Sequence, residues 1–171
     1  MTDSHKRIRK NCICISILLL AGAGLVLYLV LSGYEPSGGD IWGHLYKSQE
    51  MYESLKKGNV FPLFSPYWYN GIQLFRYWGP LSYYIMAGLM FLTSGDLLLA
   101  YRLIAFVIFV VGGLPWILWG IHENRRVLGT FFGVLWFFMP EHIRIYFTAG
   151  NLPQICLLYT SPSPRDTERS R

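Results

Sequence analysis

Residues 13–31, ICISILLLAGAGLVLYLVL, decide the fold because they form a run of nineteen uncharged residues. A helix rises about 1.5 Å per residue, so this run can cross the roughly 30 Å hydrocarbon core of a bilayer. Four basic residues precede it within 1–11. The positive-inside rule then predicts a cytoplasmic segment at 1–11 and a transmembrane helix at 12–32, with Gly33 emerging on the far side. A cleaved signal peptide would share the basic-then-apolar order, but no small-residue cleavage pattern follows this run.

The composition of the whole chain also indicates a membrane protein. Of its 171 residues, 53% are hydrophobic, 17% are aromatic and only 15% are charged, whereas soluble domains have about a quarter charged residues. A soluble globule and a disordered chain are therefore excluded. The net charge of +5 comes from scattered basic residues without a continuous stripe, so no nucleic-acid partner is expected. Three cysteines cannot form a disulfide framework, and their spacing does not suit a zinc site.

An outer loop is expected at 33–79, and its first half predicts a helix at 40–57. Asp40 is suitably placed as the N-cap of that helix. Apolar residues recur at roughly helical spacing, while Lys47 and four other charged residues lie elsewhere round the helix. That pattern is typical of a helix lying on the membrane surface. In the stretch 61–84, ten of twenty-four residues are Phe, Tyr or Trp, which is typical of the membrane–water interface.

The remaining apolar segments are expected at 80–94, 97–121 and 127–147. The run 97–121 is long enough to span the bilayer, whereas 80–94 is short and could either span or lie at the interface. If both crossed, the basic loop 122–126, which contains Arg125 and Arg126, would face outward against the positive-inside rule. We therefore favour an interfacial helix at 80–94. The segment 127–147, with a kink at Pro140, would then return outward. The fold class expected is all-α and polytopic.

The C-terminal segment 156–171 needs a separate interpretation. Its start, CLLYTSPSPRD, matches the in-frame translation of a sequencing-library adapter, and the match extends in both directions. A natural Ser/Pro-rich tail is the alternative. We exclude this segment from fold reasoning and expect the chain to be the N-terminal fragment of a longer protein, without a complete active site.

The loop motifs carry a family resemblance. The chain has one transmembrane helix, then GDIWGH at 39–44, then GNVFPLFSPYWYNGIQLFRYWGPLSYY at 58–84. This order is similar to the first outer loop of the glycosyltransferase C superfamily. Within that superfamily, the chain most resembles membrane proteins described as 6-pyruvoyl-tetrahydropterin synthase related. The resemblance covers about residues 13–154. No pterin chemistry is expected, because that reaction needs clustered histidines and the four here are dispersed.

The resemblance implies transfer of a sugar from a polyprenyl-phosphate donor at the outer face of the plasma membrane. It implies a catalytic acid just beyond the first helix, and Asp40 occupies that place. Asp40 could act as a base toward an acceptor hydroxyl or hold a divalent cation against the leaving phosphate. A plain N-cap is the alternative. His44, one turn later, could orient the carboxylate, bind phosphate when protonated or complete a metal site, or it could be structural.

Further candidates lie in the loop and near the end of the chain. Arg76 has aromatic neighbours that include Trp78, so it could bind phosphate or snorkel toward lipid. Glu35 is a second acid that could contact substrate or be solvated, and Asn151 could face the acceptor. Weaker candidates are Arg102, Glu141, His142 and Arg144.

Two functions follow as expectations. The first is a multi-pass membrane glycosyltransferase, with membrane lipid and a polyprenyl-phosphate-linked sugar as its partners and a divalent cation as an open option. The second is a non-catalytic membrane scaffold or envelope-assembly protein of the same fold. A transporter would need ionisable residues near the middle of the bilayer, and these spans have almost none. The sequence sets no oligomeric state.

Overall fold

The computed structural model describes residues 3–67, 70–76 and 79–157. Helices dominate these ranges, and their β-structure is limited to one isolated bridge between Ser65 and Ile72. The expected all-α membrane fold is confirmed. The helices are α1 (Asp3–Leu31), α2 (Ile41–Lys56), α3 (Leu81–Leu92), α4 (Leu97–His122), α5 (Arg126–Leu135), α6 (Pro140–Ile143) and α7 (Leu152–Leu157).

Two of the described helices are long and apolar enough to cross a membrane. They are the stretch His5–Leu31 of α1, with 27 residues, and α4, with 26 residues. On α1, Leu20 is 72% exposed and Leu31 is 77% exposed. Side chains this apolar face outward without penalty where the surroundings are lipid rather than water.

Side-chain hydrogen bonds fix the relative direction of α1 and α4. Near the start of α1, the Nε of Arg126 donates to the Oδ1 of Asn11 over 2.8 Å. Just past the other end of α1, the Nε of Arg102 donates to the carbonyl of Tyr34, also over 2.8 Å. The two helices therefore run antiparallel. We call the end with Asn11 and Arg126 the basic end, and the end with Tyr34 and Arg102 the aromatic end.

The glycines of α5 let it pack closely against α4. A Cβ placed on Gly129 would lie 2.6 Å from the carbonyl oxygen of Trp116 and 2.7 Å from the Cα of Gly120. One on Gly133 would lie 2.8 Å from the carbonyl oxygen of Gly113. Gly129 and Gly133 are four residues apart, the small-residue spacing that brings membrane helices into backbone contact.

The segment 127–147, expected as one kinked helix, is divided into several short pieces. α5 ends at Leu135 and is followed by a 3₁₀ turn at Trp136–Phe138. Met139 is extended, with φ −60° and ψ 138°, because the ring of a following proline disfavours the helical conformation. Beyond α6, a π-helical turn covers Arg144–Ala149. This segment brings the chain back to the aromatic end.

Two buried tyrosines hold the returning segment at the aromatic end. The hydroxyl of Tyr101 in α4 donates to the carbonyl of Tyr146, and the hydroxyl of Tyr146 donates to the carbonyl of Tyr101, each over 2.9 Å. Their rings stack with centroids 5.0 Å apart. Each hydroxyl thus satisfies a backbone carbonyl that burial would otherwise leave unpaired.

Helices α2 and α3 form a separate layer between the end of α1 and the start of α4. They run side by side in the same direction, since His44 pairs with Tyr83 and Tyr52 packs on Phe91. At 12 residues, α3 is only about 18 Å long, shorter than the hydrocarbon core. The chain enters and leaves this layer at the aromatic end.

Candidate functional site

Asp40 stands at the start of α2 with its carboxylate exposed. It occupies the N-cap position, but its side chain makes no capping hydrogen bond. The expectation of side-chain capping was wrong, because the backbone of Asp40 is helical, with φ −100° and ψ −12°, whereas capping side chains usually need an extended residue. Its carbonyl accepts a hydrogen bond from the N–H of His44 over 3.2 Å. The carboxylate is therefore not occupied by the helix that it precedes.

Asp40, His44 and Lys47 share one face of the helix, since they are spaced by four and three residues. His44 is 2% exposed and Lys47 is 7% exposed. Asp40 and Lys47 both act electrostatically on His44. An exposed carboxylate therefore lies on the same helix face as a buried imidazole and a buried lysine side chain.

The imidazole of His44 is held by α3. Its Nδ1 lies 2.8 Å from the hydroxyl of Tyr83, within hydrogen-bond distance. Burial lowers the pKa of His44 to about 4, with a further lowering by Lys47 that Asp40 opposes. The ring is consequently neutral near pH 7. The option that a protonated His44 binds phosphate does not fit this site, whereas a neutral imidazole that positions its neighbours does.

Lys47 is the residue that sequence reasoning missed. We expected its charge on the solvated part of α2, but the side chain is buried. Burial lowers the pKa of Lys47, and Asp40 opposes that shift. Its spacing of seven residues from Asp40, two helical turns, was the available signal. The apolar pattern alone could not show that this charge faces inward.

The start of α2 rests against the end of the π-helical turn. The Oγ of Ser37 donates to the carbonyl of Phe147 over 2.9 Å. A Cβ placed on Gly38 would lie 2.5 Å from the carbonyl oxygen of Thr148, and one on Gly150 would lie 2.5 Å from the Cβ of Ile41. Because φ is +130° at Gly38 and +68° at Gly150, both positions favour glycine in conformation as well as in space.

Asn151 follows Gly150, which takes part in this contact, and its role toward an acceptor stays a prediction. Its Oδ1 accepts a hydrogen bond from the N–H of Gln154 over 3.2 Å, which caps α7. Earlier in the chain, the exposed side chains of Glu141 and Arg144 form a bidentate ion pair. The Nε of Arg144 donates to one carboxylate oxygen over 2.8 Å, and the Nη2 donates to the other over 2.6 Å. The Nδ1 of His142 lies 2.6 Å from the carbonyl of Trp136.

The other candidates lie in different surroundings. Glu35 and Arg76 are exposed, and the Nη1 of Arg76 donates to the Oε1 of Gln73 over 3.2 Å. Arg102 links α4 to the exit of α1 through the carbonyl of Tyr34. Trp78 lies outside the described residues.

The described side chains do not supply a complete metal site. Within residues 3–67, 70–76 and 79–157, no three His, Cys, Asp or Glu side chains come together as ligands. The Nδ1 of His44 is also engaged by Tyr83. Asp40 alone supplies too few ligands to fix a cation.

Comparison with known proteins gives one match. Residues 75–163 match the model of a family described as 6-pyruvoyl-tetrahydropterin synthase related domain, membrane protein. The match covers just over half of the chain and includes α3 to α7. It extends into 156–171, the segment interpreted above as an adapter translation, of which 158–171 lie outside the described residues. No curated protein and no solved structure matches the chain.

Proposed function

The chain belongs to the 6-pyruvoyl-tetrahydropterin synthase related family of membrane proteins, and we propose that it is part of a membrane glycosyltransferase of the glycosyltransferase C type. Its donor is a sugar carried on polyprenyl phosphate, and its acceptor is a hydroxyl at the membrane surface. One observation supports this proposal above the others. Asp40 is an exposed carboxylate that makes no side-chain cap, and it lies nine residues after the end of a candidate membrane span.

In the proposed reaction, the carboxylate of Asp40 takes the proton of the acceptor hydroxyl. The acceptor oxygen then forms a bond to the anomeric carbon of the sugar, and the bond from that carbon to the phosphate oxygen breaks. Polyprenyl phosphate leaves with the bonding electron pair. A positioned base of this kind contributes about 10² to 10⁴ in rate.

His44 and Lys47 are positioning residues in this proposal. The neutral imidazole fixes the face of α2 against α3 through Tyr83. Lys47 is buried on the same face of α2, seven residues from Asp40, and interacts electrostatically with it. Neither residue needs to contact the sugar. Arg76 and Glu35 remain candidates for substrate contacts because they are exposed on the same loop.

The proposal includes an orientation. Four basic residues of 1–11, together with Arg125 and Arg126, lie toward the basic end of the α1–α4 pair. The positive-inside rule puts that end in the cytoplasm and the aromatic end, with Asp40, outside the plasma membrane. A lipid-linked donor could then reach Asp40 from the bilayer, in a multi-pass protein whose N-terminus is cytoplasmic.

The test is the variant Asp40→Asn in the longest reading frame that contains this chain, assayed by transfer of radiolabelled sugar from a polyprenyl-phosphate donor. We expect transfer to fall by about 10² or more. The matched control is Glu53→Gln, which removes the same charge thirteen residues later, on α2, where Glu53 pairs with Lys56. Undiminished transfer in Asp40→Asn, or an equal loss in both variants, would exclude Asp40 as the base.

A second candidate function is a non-catalytic membrane scaffold. The observation in its favour is a run of exposed apolar side chains in the outer loop, where Leu63 is 73% exposed, Phe64 58% and Tyr67 83%. Such a surface suits lipid or a protein partner. For a scaffold, Asp40→Asn should be silent and Phe64→Ala with Tyr67→Ala should impair function. The glycosyltransferase predicts that Asp40→Asn has the larger effect.

A further inference from the structure

A second feature lies at the basic end, far from Asp40. A groove of about 480 Å³ runs between the start of α1 and the start of α5. Its lining includes the apolar residues Ile13, Cys14, Ile17 and Val127 and the basic residues Lys10 and Arg126. Of these apolar side chains, Ile13 is 51% exposed, Ile17 45% and Val127 86%. The groove is therefore open to its surroundings along an apolar surface and basic at one end.

The guanidinium of Arg126 is held in a defined orientation. Its Nε donates to the Oδ1 of Asn11 over 2.8 Å, and its Nη1 donates to the Oδ1 of Asn124 over 3.3 Å. The Nη2 donors take part in neither bond. An arginine fixed in this way can direct its remaining donors at a phosphate with little further loss of side-chain freedom.

The charges at the groove are of one sign. Lys10 and Arg126 are the charged residues among those that line the described groove, and both are cationic. An apolar ligand without charge would not need them, and a free anion would not need the apolar walls. A molecule with an anionic head and an apolar tail matches both parts. Basic pockets beside membrane helices bind such lipid headgroups.

We propose that this groove binds an anionic phospholipid of the leaflet that meets the N-terminal end of α1. The phosphate contacts Lys10 and Arg126, and an acyl chain follows Ile13 and Ile17 along α1. The lipid would contact α1 and α5 together at the basic end. This site is separate from Asp40 and does not depend on the proposed sugar transfer.

The test is native mass spectrometry of the full chain released from detergent, titrated with phosphatidylglycerol or with phosphatidylcholine of the same acyl chains. We expect phosphatidylglycerol to be retained preferentially. Arg126→Ala should weaken its binding about tenfold, since an ion-assisted hydrogen bond is lost. Binding of phosphatidylcholine should fall less, because its choline cation already offsets the phosphate charge, so the preference for phosphatidylglycerol should narrow. The control is Arg125→Ala, which removes the neighbouring charge outside the groove lining, and it should change binding less than twofold.

A second pair of variants covers the case in which Arg126→Ala does not fold. Lys10→Gln should weaken phosphatidylglycerol binding about fivefold, because one basic residue near an anionic membrane surface contributes about that factor to the affinity. Lys6→Gln, one turn earlier on α1, should not. Excess inorganic phosphate should fail to displace the lipid, because it lacks the apolar tail.

Several outcomes would overturn the proposal. They are equal binding of the two lipids, equal losses in Arg125→Ala and Arg126→Ala, or displacement by phosphate at the concentration of the lipid. A change of oligomeric mass in Arg126→Ala with lipid binding intact would identify a second copy of the chain as the occupant instead.

Discussion

The α4–α5 pair and the α2–α3 layer are packed in opposite ways. Between α4 and α5, glycines bring backbone onto backbone, as at Gly120 and Gly129. Between α2 and α3, the buried surface includes polar side chains such as His44, Lys47 and Ser82. Close backbone packing tolerates almost no change in volume, whereas a buried polar layer depends on charge and hydrogen bonds. We therefore expect the first region to carry stability and the second to carry chemistry.

The largest expected effect is on the glycine contact. Gly129→Leu should lower the free energy of unfolding by about 3 kcal/mol, because the new side chain meets backbone atoms of Trp116 and Gly120 that cannot move aside. Urea unfolding in detergent, followed by circular dichroism, measures this change. Gly24→Leu is the control, since an added Cβ there meets nothing within 4 Å. Equal stability of the two variants would refute the close approach of α4 and α5.

The polar α2–α3 layer should make the free energy of unfolding depend on pH. The pKa of His44 falls from 6.5 to about 4 on folding, so the unfolded chain binds a proton first as the pH drops. Stability should therefore be full above pH 6.5 and decline toward pH 4. We expect a loss of about 2 kcal/mol, less than the full shift implies, because α2 lies near the surface and water screens it.

The variant His44→Gln checks the origin of that loss. It keeps a side chain that can bond to Tyr83 and has no group that titrates in this range. Unfolding curves at pH 4.5 and pH 7.5 should differ less for His44→Gln than for the native chain. Identical pH profiles for both chains would mean that His44 is not buried as a neutral base.

The contact between α4 and the π-helical turn should give an intermediate effect. Tyr101→Phe removes the hydroxyl that donates to the carbonyl of Tyr146 and leaves that buried carbonyl unsatisfied. The free energy of unfolding should fall by about 1 kcal/mol. Tyr67→Phe, at a residue that is 83% exposed, is the control. A loss of the same size in the control would show that the hydroxyl of Tyr101 has no special role.

The smallest effect is expected at the ion pair between Glu141 and Arg144. Both side chains are exposed, and hydrogen bonds from Arg144 lower the pKa of Glu141. Water screens such pairs, so Glu141→Gln should leave the melting temperature unchanged within error. A clear drop in the melting temperature would show that this ion pair stabilises the segment after Pro140.

The sequence predicted the two regions unequally. Uncharged length predicts α1 and α4, because a bilayer core imposes that length, and the spacing of Ile41 and Leu45 predicts α2. The division after α5 was foreseen only as a kink at Pro140. The 3₁₀ turn, α6 and the π-helical turn depend on the contact between Tyr146 and Tyr101. That contact is tertiary, so the local sequence pattern does not predict it.

The candidate site stays a prediction. The family resemblance implies Asp40, and His44 was added because it lies one helical turn later. Lys47 was not a candidate, because whether a charge on an amphipathic helix faces water or a neighbouring element depends on tertiary packing. The protonation state of His44 likewise depends on burial, which the spacing of residues does not specify.

The central claim is that the carboxylate of Asp40 lies at the membrane surface opposite the N-terminus. The direct test is Asp40→Cys, in a chain whose native cysteines are replaced by serine, labelled in intact cells with a membrane-impermeant maleimide. Arg125→Cys at the basic end is the reference position. The account predicts labelling at position 40 in intact cells and at position 125 only after the membrane is opened. Protection of position 40 in intact cells, with labelling at 125, would contradict it.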